Sequence, residues 1–408
     1  MKRKNIFFID TRGEGKNYGI GTYRRILFHY LLDSNKYNIF WVKINYAATP
    51  DVKVLSNSST SGMISIEISL SFDFRDEFDA TSKIAFREQF RSLTCFAILQ
   101  NLTQCRTGIV HLNSVGEKGM AIVAKQKGFR VIGTQHTALF EKPEFKTNDR
   151  ADELNWSLFN SEREYLSNLD ACIFLSDITM HRAIDYNHIC PEKANLIYNG
   201  VHFAPPQDNK VTETLKNEME LSSDDFIILY VGRLNRRKGL VELISSFTSF
   251  SKNRTKVKLV IVGDGDLSIF ANLKDDVRGK ILKIGYMTND RISAIYRLAN
   301  IGVLPSYSEQ SSFSILEMMN YGLPLILSDI PEFCLFKDDF HAIKSAVHKS
   351  TYGTVSGIDI ESLRICIERL YESKKLRDFL IRNSKELISK KLNSKRMSDL
   401  TISLYDKL

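Results

Sequence analysis

The sequence lacks any hydrophobic run long enough to cross a membrane. A membrane-spanning helix needs about 18 apolar residues. After the basic start of this 408-residue chain, only residues 6–9 form an apolar run before Asp10. That run is too short for a secretory signal peptide, and no small-residue cleavage site follows it. We therefore expect a cytoplasmic protein whose first apolar residues form a buried strand.

Patterns of metal ligands and disulfides are also missing. The six cysteines are scattered without a CxxC pair, and the eight histidines include no HExxH motif. This spacing argues against a zinc site and against a disulfide framework, and it is typical of reduced thiols inside a cytosolic protein. We predict buried thiols, no metal site and no bound cofactor.

Charge of one sign is not concentrated anywhere in the chain. The formal net charge is +8, with 25 basic against 22 acidic residues up to residue 200 and 31 against 26 beyond it. Such dispersed charge argues against a nucleic-acid partner. It favours two interpretations, which are ordinary solubility and a weak attraction to phosphate-bearing ligands or to an anionic membrane surface at the inner face of the membrane.

The sequence does contain a regular alternation of short apolar runs and helical patterns. This alternation predicts an α/β protein in which parallel sheets carry helices on both faces. Residues 51–80 fit neither pattern. Strands are predicted at residues 5–9, 37–44, 108–112, 130–134, 171–175, 226–231, 258–262, 280–284, 301–304 and 323–327, and helices at 21–32, 116–126, 161–169, 240–250, 290–299 and 314–321.

The length suits two domains better than one hydrophobic core. The alternation breaks at residues 195–210, which include Asn199-Gly200 and Pro205-Pro206, as a hinge would. We predict one domain at 1–200 and a second at 201–385. Residues 386–408 are predicted to form a helix that crosses back to the first domain.

A basic loop follows the predicted strand at 226–231. Residues 232–239 read GRLNRRKG and lead directly into a helix, so the loop should lie at the carboxyl edge of the sheet, where ligands of open α/β sheets bind. Arg233 and Lys238 would stand beside a helix N-terminus, which itself favours anions. Two cations and a helix dipole suit a diphosphate. As loop residues, both are expected to contribute little to fold stability.

Two glutamates flank the start of a later helix. Glu309 precedes it and Glu317 lies within it, while the backbone amides near Phe313 and Ser314 would be the free donors of its first turn. A carboxylate on such a helix can accept hydrogen bonds from both hydroxyls of a ribose. A carboxylate in the preceding loop can face a reacting sugar.

In the first half, Gly19 and Gly21 follow strand one and a polar loop. Glycines at the start of a helix let backbone amides approach a phosphate. We predict that these two glycines contribute to a phosphate-binding turn.

The spacing of Glu309 and Glu317 resembles the paired-glutamate motif of the retaining glycosyltransferases of family 4, which have the GT-B fold. Further similarities follow in the family's order over about 130 residues. They are Asn199-Gly200-Val201, Gly232-Arg233 with Lys238-Gly239, Ile261-Val262-Gly263-Asp264-Gly265, Tyr296-Arg297-Leu298-Ala299-Asn300, Leu304-Pro305-Ser306 and the stretch YGLPLILSD at residues 321–329.

The resemblance implies two doubly wound Rossmann-like domains that face each other across a cleft. It implies that the first, at 1–200, binds the acceptor and that the second, at 201–385, binds the nucleotide-sugar donor. It implies transfer of a hexosyl unit, with retention, from a UDP- or GDP-linked sugar to an acceptor hydroxyl. The acceptor would be a saccharide, a lipid-linked glycan or another hydroxyl compound, and the product a cell-surface or secondary glycoconjugate. His136 would face the transferred sugar. Glu309 and His136 are then the catalytic candidates, and Glu317 the ribose ligand.

Some residues depart from the family's pattern. Ser311-Ser312 stands where many relatives have Phe-Gly, while Asn300 and His202 replace aspartates. These departures affect donor fit and hinge packing more than the class of reaction. Two alternatives stay open beside transfer. One is a nucleotide-sugar epimerase or hydrolase on the same fold, and the other is an inactive nucleotide-binding scaffold.

Overall fold

The computed structural model describes residues 3–10, 19–46, 51–56, 62–70, 80–136, 150–204, 209–271, 273, 275–350 and 355–408. The chain forms two compact units. Unit 1 consists of Met1–Asn199 and Ser394–Leu408, and unit 2 consists of Gly200–Asn393. Pro205-Pro206, part of the expected hinge, lies outside the described residues.

Unit 1 is built on a mainly parallel sheet. Its eight described strands have the order β3-β4-β2-β1-β5-β6-β7-β8, and only β3 runs antiparallel to its neighbour. The strands are β1 Lys4–Asp10, β2 Tyr37–Tyr46, β3 Asp51–Ser56, β4 Met63–Leu70, β5 Ile109–Leu112, β6 Arg130–Gln135, β7 Ala171–Phe174 and β8 Ala194–Leu196. The helices are α1 Gly19–Asp33, α2 Ala80–Thr103, α3 Lys118–Gln126, α4 Arg150–Ser167 and α5 Asp177–Asp185.

The side chains of β1 point alternately to the two faces of this sheet, because successive residues of a strand face opposite sides. Phe7 and Ile9 enter a core that also holds Phe129, and the rings of Phe7 and Phe129 meet edge to face at 5.6 Å. Phe8 lies on the other face, where its ring meets Phe28 of α1 at 5.0 Å. Both faces of the strand are therefore buried, which explains its continuous apolar sequence.

A helix from the end of the described sequence completes unit 1. Helix α13, Ser394–Lys407, packs against α1. Tyr405 is completely buried, and its hydroxyl hydrogen-bonds Nδ1 of His111. Beside it, the Tyr37 hydroxyl donates to Asp406 at 2.6 Å. One buried aromatic side chain with a satisfied polar tip thus fixes α13 to the sheet.

Unit 2 has a parallel sheet of six described strands in the order β11-β10-β9-β12-β13-β14. A two-stranded antiparallel hairpin, β15-β16, stands apart from it. The strands are β9 Phe226–Val231, β10 Val257–Val262, β11 Ile281–Ile284, β12 Ile301–Leu304, β13 Leu325–Ser328, β14 Ile343–Ser345, β15 Val347–Lys349 and β16 Val355–Ile358. The helices are α6 Asn209–Glu218, α7 Leu240–Ser251, α8 Asp275–Arg278, α9 Asn289–Leu298, α10 Phe313–Asn320, α11 Ile360–Glu372 and α12 Lys374–Lys390.

The fold therefore has the expected α/β class, with parallel sheets in two Rossmann-like domains. Three details differ from the sequence-based expectations. Residues 51–80, left unassigned, contain β3 and β4. The predicted start of the crossing helix at 386 falls inside α12, and the chain returns to unit 1 at Ser394. Cys190 and Cys334 are exposed, so the expectation of buried thiols is wrong for these two.

No helix in the part of the chain that the structure describes is both long and apolar enough to span a membrane.

Candidate active site

The sheet of unit 2 reverses its strand order between β9 and β12. From β9 the chain moves outward to β10 and β11, and it then returns to place β12 on the other side of β9. After β9 and after β12 the chain therefore continues toward opposite edges of the sheet. A crevice at such a switch point is where open α/β sheets bind ligands.

The loop after β9 is held in a tight turn. Asn235 precedes a single 3₁₀ turn, Arg236–Lys238, and its side chain accepts a hydrogen bond from the Lys238 amide at 3.1 Å. Gly239 ends the turn with φ +66° and begins α7. The basic residues thus lie directly before a helix N-terminus, as predicted from the sequence pattern.

The loops after β9 and β12 contact each other through the backbone. A Cβ atom added to Gly239 would lie 1.9 Å from the Pro305 carbonyl oxygen. The amide of Tyr307 donates to the Arg237 carbonyl at 2.9 Å, and its hydroxyl donates to Glu242 of α7 at 2.8 Å. Only glycine permits this approach at position 239.

Lys238 and Glu309 form an ion pair at this contact. Lys238 Nζ bonds Glu309 Oε1, and their side chains are 17% and 10% exposed. The hydroxyl of Ser306 donates to the same carboxylate oxygen at 3.0 Å. Because the pair is mostly buried, removal of one partner leaves a charge uncompensated. This ion pair leads us to expect that Lys238 contributes to stability, which its place in a loop did not suggest.

Arg233 is exposed, and Tyr230 links it to this pair. The Tyr230 hydroxyl donates to the Arg233 carbonyl at 2.8 Å. Burial raises the pKa of Tyr230 well above its usual value, the charge of Glu309 raises it further, and the charge of Arg233 lowers it. Arg233 and Glu309 are thus both near enough to act on the same hydroxyl.

Helix α10 begins beside the β12 loop, at Phe313. Ser312 occupies the N-cap position, and its side chain makes no capping bond to the described residues of the first turn. The amides of Phe313 and Ser314 are among the first N–H groups of the helix, which have no acceptor within it. Their role as donors to an anion stays a prediction.

Glu317 lies on α10 and is held by Tyr296 of α9. The Tyr296 hydroxyl donates to Glu317 Oε2 at 2.7 Å, and burial, with the Glu317 charge next in importance, raises the pKa of Tyr296 well above its usual value. Glu317 is partly exposed, whereas Tyr296 is 1% exposed. A buried phenol therefore orients a carboxylate that can reach a ligand.

Unit 1 carries the other predicted site residues. Gly19 is exposed at the first position of α1, whereas Gly21 is buried. The polar loop before them lies outside the described residues.

His136 follows β6, and its ring packs edge to face on Tyr23 at 4.9 Å. Its Nε2 lies 3.2 Å from Asn113 Oδ1. Burial lowers the pKa of His136 to about 3, so the ring is neutral at pH 7.

Sequence reasoning gave no role to four polar residues that support these groups. Tyr296 and Ser306 were noted only as parts of motifs, and Asn113 and His111 were missed. Asn113 directly follows the buried strand β5 and His111 interrupts its apolar sequence. A polar residue in or just after a buried strand is the signal that could have found both, because buried polar groups must have partners.

Within the described ranges, no group of three or more His, Cys, Asp or Glu residues is arranged to hold a metal ion.

Two family models match the chain, one within unit 2 and the other mostly within unit 1. The model for glycosyl transferases group 1 matches residues 211–387, and the model for Glycosyltransferase Family 4 matches residues 81–204. The first match contains the loops after β9 and β12, and the second contains His136.

Three curated relatives carry the names of glycosyltransferases or of a synthase. An uncharacterised glycosyltransferase of Methanocaldococcus jannaschii is 25% identical over 59% of this chain and 62% of its own length. The alpha-monoglucosyldiacylglycerol synthase of Acholeplasma laidlawii is 22% identical over 59% of this chain and 63% of its own. The chain thus spans about three fifths of these two relatives. The alpha-D-kanosaminyltransferase of Streptomyces kanamyceticus is 25% identical over 70% of both.

Solved structures share the fold over the whole length. Sucrose-phosphate synthase from Thermosynechococcus elongatus has a TM-score of 0.76 at 18% identity and covers 99% of both chains. The Anabaena protein HepE, solved in complex with UDP and glucose, has a TM-score of 0.71 at 12% identity and covers 100% of both. With two matched models, related transferases and this shared architecture, the chain belongs to the group 1 glycosyltransferases of GT-B fold.

Proposed function

We propose that this glycosyltransferase takes a hexosyl unit from a nucleoside-diphosphate sugar and transfers it, with retention, to an acceptor hydroxyl. The observation that carries the proposal is the ion pair of Lys238 and Glu309, which joins the two loops at the switch point of unit 2. Structural neighbours solved with UDP or UDP-glucose support this class of donor.

Leaving-group stabilisation is assigned to the loop after β9 and the start of α10. Lys238 has three N–H donors and gives one to Glu309, so two can reach phosphate oxygens. Arg233 and the amides of Phe313 and Ser314 supply further donors. As the bond to the diphosphate breaks, negative charge grows on the phosphate, and fixed donors stabilise it most in the transition state.

Recognition of the sugar and the ribose is assigned to the carboxylates and to His136. Glu317, held by Tyr296, would accept hydrogen bonds from the ribose hydroxyls. Glu309 would lie near the reacting carbon, where positive charge develops, and His136 would orient the transferred sugar. We infer front-face attack by the acceptor hydroxyl, with the donor phosphate taking its proton.

A panel of UDP- and GDP-linked sugars tests this proposal. The protein is incubated with each donor, with and without a mixture of saccharide and lipid-linked acceptors, and the released nucleoside diphosphate and the products are measured. Acceptor-dependent release with an α-linked product from an α-linked donor is expected. Release without acceptor would indicate a hydrolase, and an altered nucleotide sugar would indicate an epimerase. Binding without turnover would indicate a scaffold.

Turnover is expected to be independent of divalent metal ions. Cationic side chains and helix amides take the position that a metal occupies in other transferases, so no ion is needed to neutralise the diphosphate. The initial rate should therefore stay within about two-fold after dialysis against EDTA. Loss of activity that magnesium or manganese restores would contradict this assignment.

Glu317→Gln is expected to raise the donor KM about ten-fold with little change in kcat. The ribose contact is the same in ground and transition states, so its loss weakens binding uniformly. A charge-assisted hydrogen bond contributes about 1.5–3 kcal/mol, which sets the size of the effect.

Tyr296→Phe is the matched variant, since it keeps the buried ring and removes only the donor to Glu317. Tyr296→Phe should also raise the donor KM, by a smaller factor than Glu317→Gln. A fall in kcat for either variant, with an unchanged KM, would move Glu317 from the ribose to the reacting carbon.

A further inference from the structure

Asn113 bridges two strand ends at the switch point of the unit 1 sheet. The sheet order changes direction at β1 and β5, and Asn113 follows β5 directly. Its Nδ2 donates to the Ile9 carbonyl of β1 at 3.1 Å, and its backbone amide donates to Glu117 Oε2 at 2.8 Å. The residue is 4% exposed. Both strands and the turn that follows thus hold this side chain in place.

These contacts fix the orientation of the Asn113 amide. The Ile9 carbonyl can only accept a hydrogen bond, so the NH₂ group of Asn113 must face it. Oδ1 then faces Nε2 of His136, 3.2 Å away. Because an amide oxygen can only accept, Nε2 of His136 must carry the proton. In a neutral imidazole the other nitrogen, Nδ1, is then an acceptor.

The surroundings keep the His136 ring neutral. Tyr23 of α1 packs against it, and Tyr23 is itself an uncharged phenol, since burial raises its pKa to about 12. His111 of β5 is near enough for the His136 charge to act on it, and burial lowers the pKa of His111 to about 3. Among the described residues, Glu117 accepts hydrogen bonds from the backbone amides of Asn113 and Ser114.

We propose that Asn113 is a positioning residue that fixes His136 in the Nε2-protonated tautomer and so presents Nδ1 as an acceptor for a hydroxyl of the transferred sugar. The inference rests on the proposed function for the identity of that hydroxyl. It assigns His136 a definite role as an acceptor, which excludes it as a proton donor to the leaving group.

Nitrogen-15 NMR of the imidazole rings tests the tautomer without any substrate. In the full-length protein, the His136 signal, identified by its absence in His136→Gln, should show protonated Nε2 and bare Nδ1 from pH 5.5 to 8. In Asn113→Leu, which keeps the approximate size but removes the acceptor, the two tautomers should mix. In Asn113→Asp, the added carboxylate should raise the pKa of His136 by about one to three pH units.

A wild-type signal with protonated Nδ1, or a ring that is charged at pH 7, would overturn the inference whether or not Asn113→Leu folds. Kinetics with the donor found in the panel give the second readout. Asn113→Leu should lower kcat/KM about ten-fold. A mixed tautomer with unchanged kcat/KM would overturn the acceptor role. If no nucleotide sugar were turned over at all, the proposed function would fail, and the NMR result would still decide the role of Asn113.

Discussion

Replacing Lys238 with alanine is expected to lower kcat/KM for the donor about a hundred-fold. The change removes the cation proposed to stabilise the leaving diphosphate, and charge-assisted bonds of this kind contribute about 1.5–3 kcal/mol each. Initial rates of nucleoside-diphosphate release measure the loss. Arg236→Ala is the matched control, because Arg236 is an exposed cation of the same turn and should change kcat/KM by less than about three-fold.

The ion pair adds a second expectation for the same variant. Without Lys238, the carboxylate of Glu309 is left mostly buried and uncompensated, at a cost of about 2 kcal/mol in the free energy of unfolding. The double variant Lys238→Ala, Glu309→Gln should recover most of that stability but none of the activity. If wild-type kinetics persisted in Lys238→Ala, the loop after β9 would have no place in the donor site.

Gly239→Ala should be the most destabilising of the alanine substitutions considered for unit 2. The new Cβ would lie 1.9 Å from the Pro305 carbonyl oxygen, and the backbone is at φ +66°. Because the backbone of one of the two loops must move, we expect the free energy of unfolding to fall by about 3 kcal/mol or more. That corresponds to a fall of about 6–12 °C in the apparent Tm. UDP binding, measured by calorimetry, should weaken as well, because the two loops of the site separate.

Two glycines serve as controls for this substitution. Gly128 has φ +83° and nothing within 4 Å of an added Cβ, so Gly128→Ala isolates the cost of the backbone conformation, about 1–2 kcal/mol. Gly279 has neither constraint, and Gly279→Ala should change stability by less than about 0.5 kcal/mol. Equal losses for Gly239→Ala and Gly128→Ala would show that the contact with Pro305 is unimportant.

Local patterns in the sequence were sufficient for the class of fold and for the loops of the site. The apolar run at β9 and the glycine turn after it predicted both the strand and the position of Lys238, because strand burial and turn chemistry act over a few neighbouring residues. The start of α10 near Phe313 followed in the same way. These signals require no knowledge of which strands are neighbours.

Contacts between distant residues could not be read in this way. The sequence suggested separate roles for Lys238 and Glu309, 71 positions apart, and only the order of β9 and β12 shows that they form a pair. The hydrogen bond of His111 to Tyr405 spans 294 positions. Pairing at such separations depends on the sheet order and on the packing of helices, which no short pattern encodes.

The return of α13 to unit 1 has a consequence for synthesis on the ribosome. Translation adds about 5–20 residues per second, so some 10–40 s pass between Asn199 and Ser394. Throughout that interval unit 2 is still being made, and the face of α1 and β5 that Tyr405 later covers is exposed in the nascent chain. Unit 1 can therefore close only after all of unit 2 has been made, because the helix that completes unit 1 is translated after unit 2.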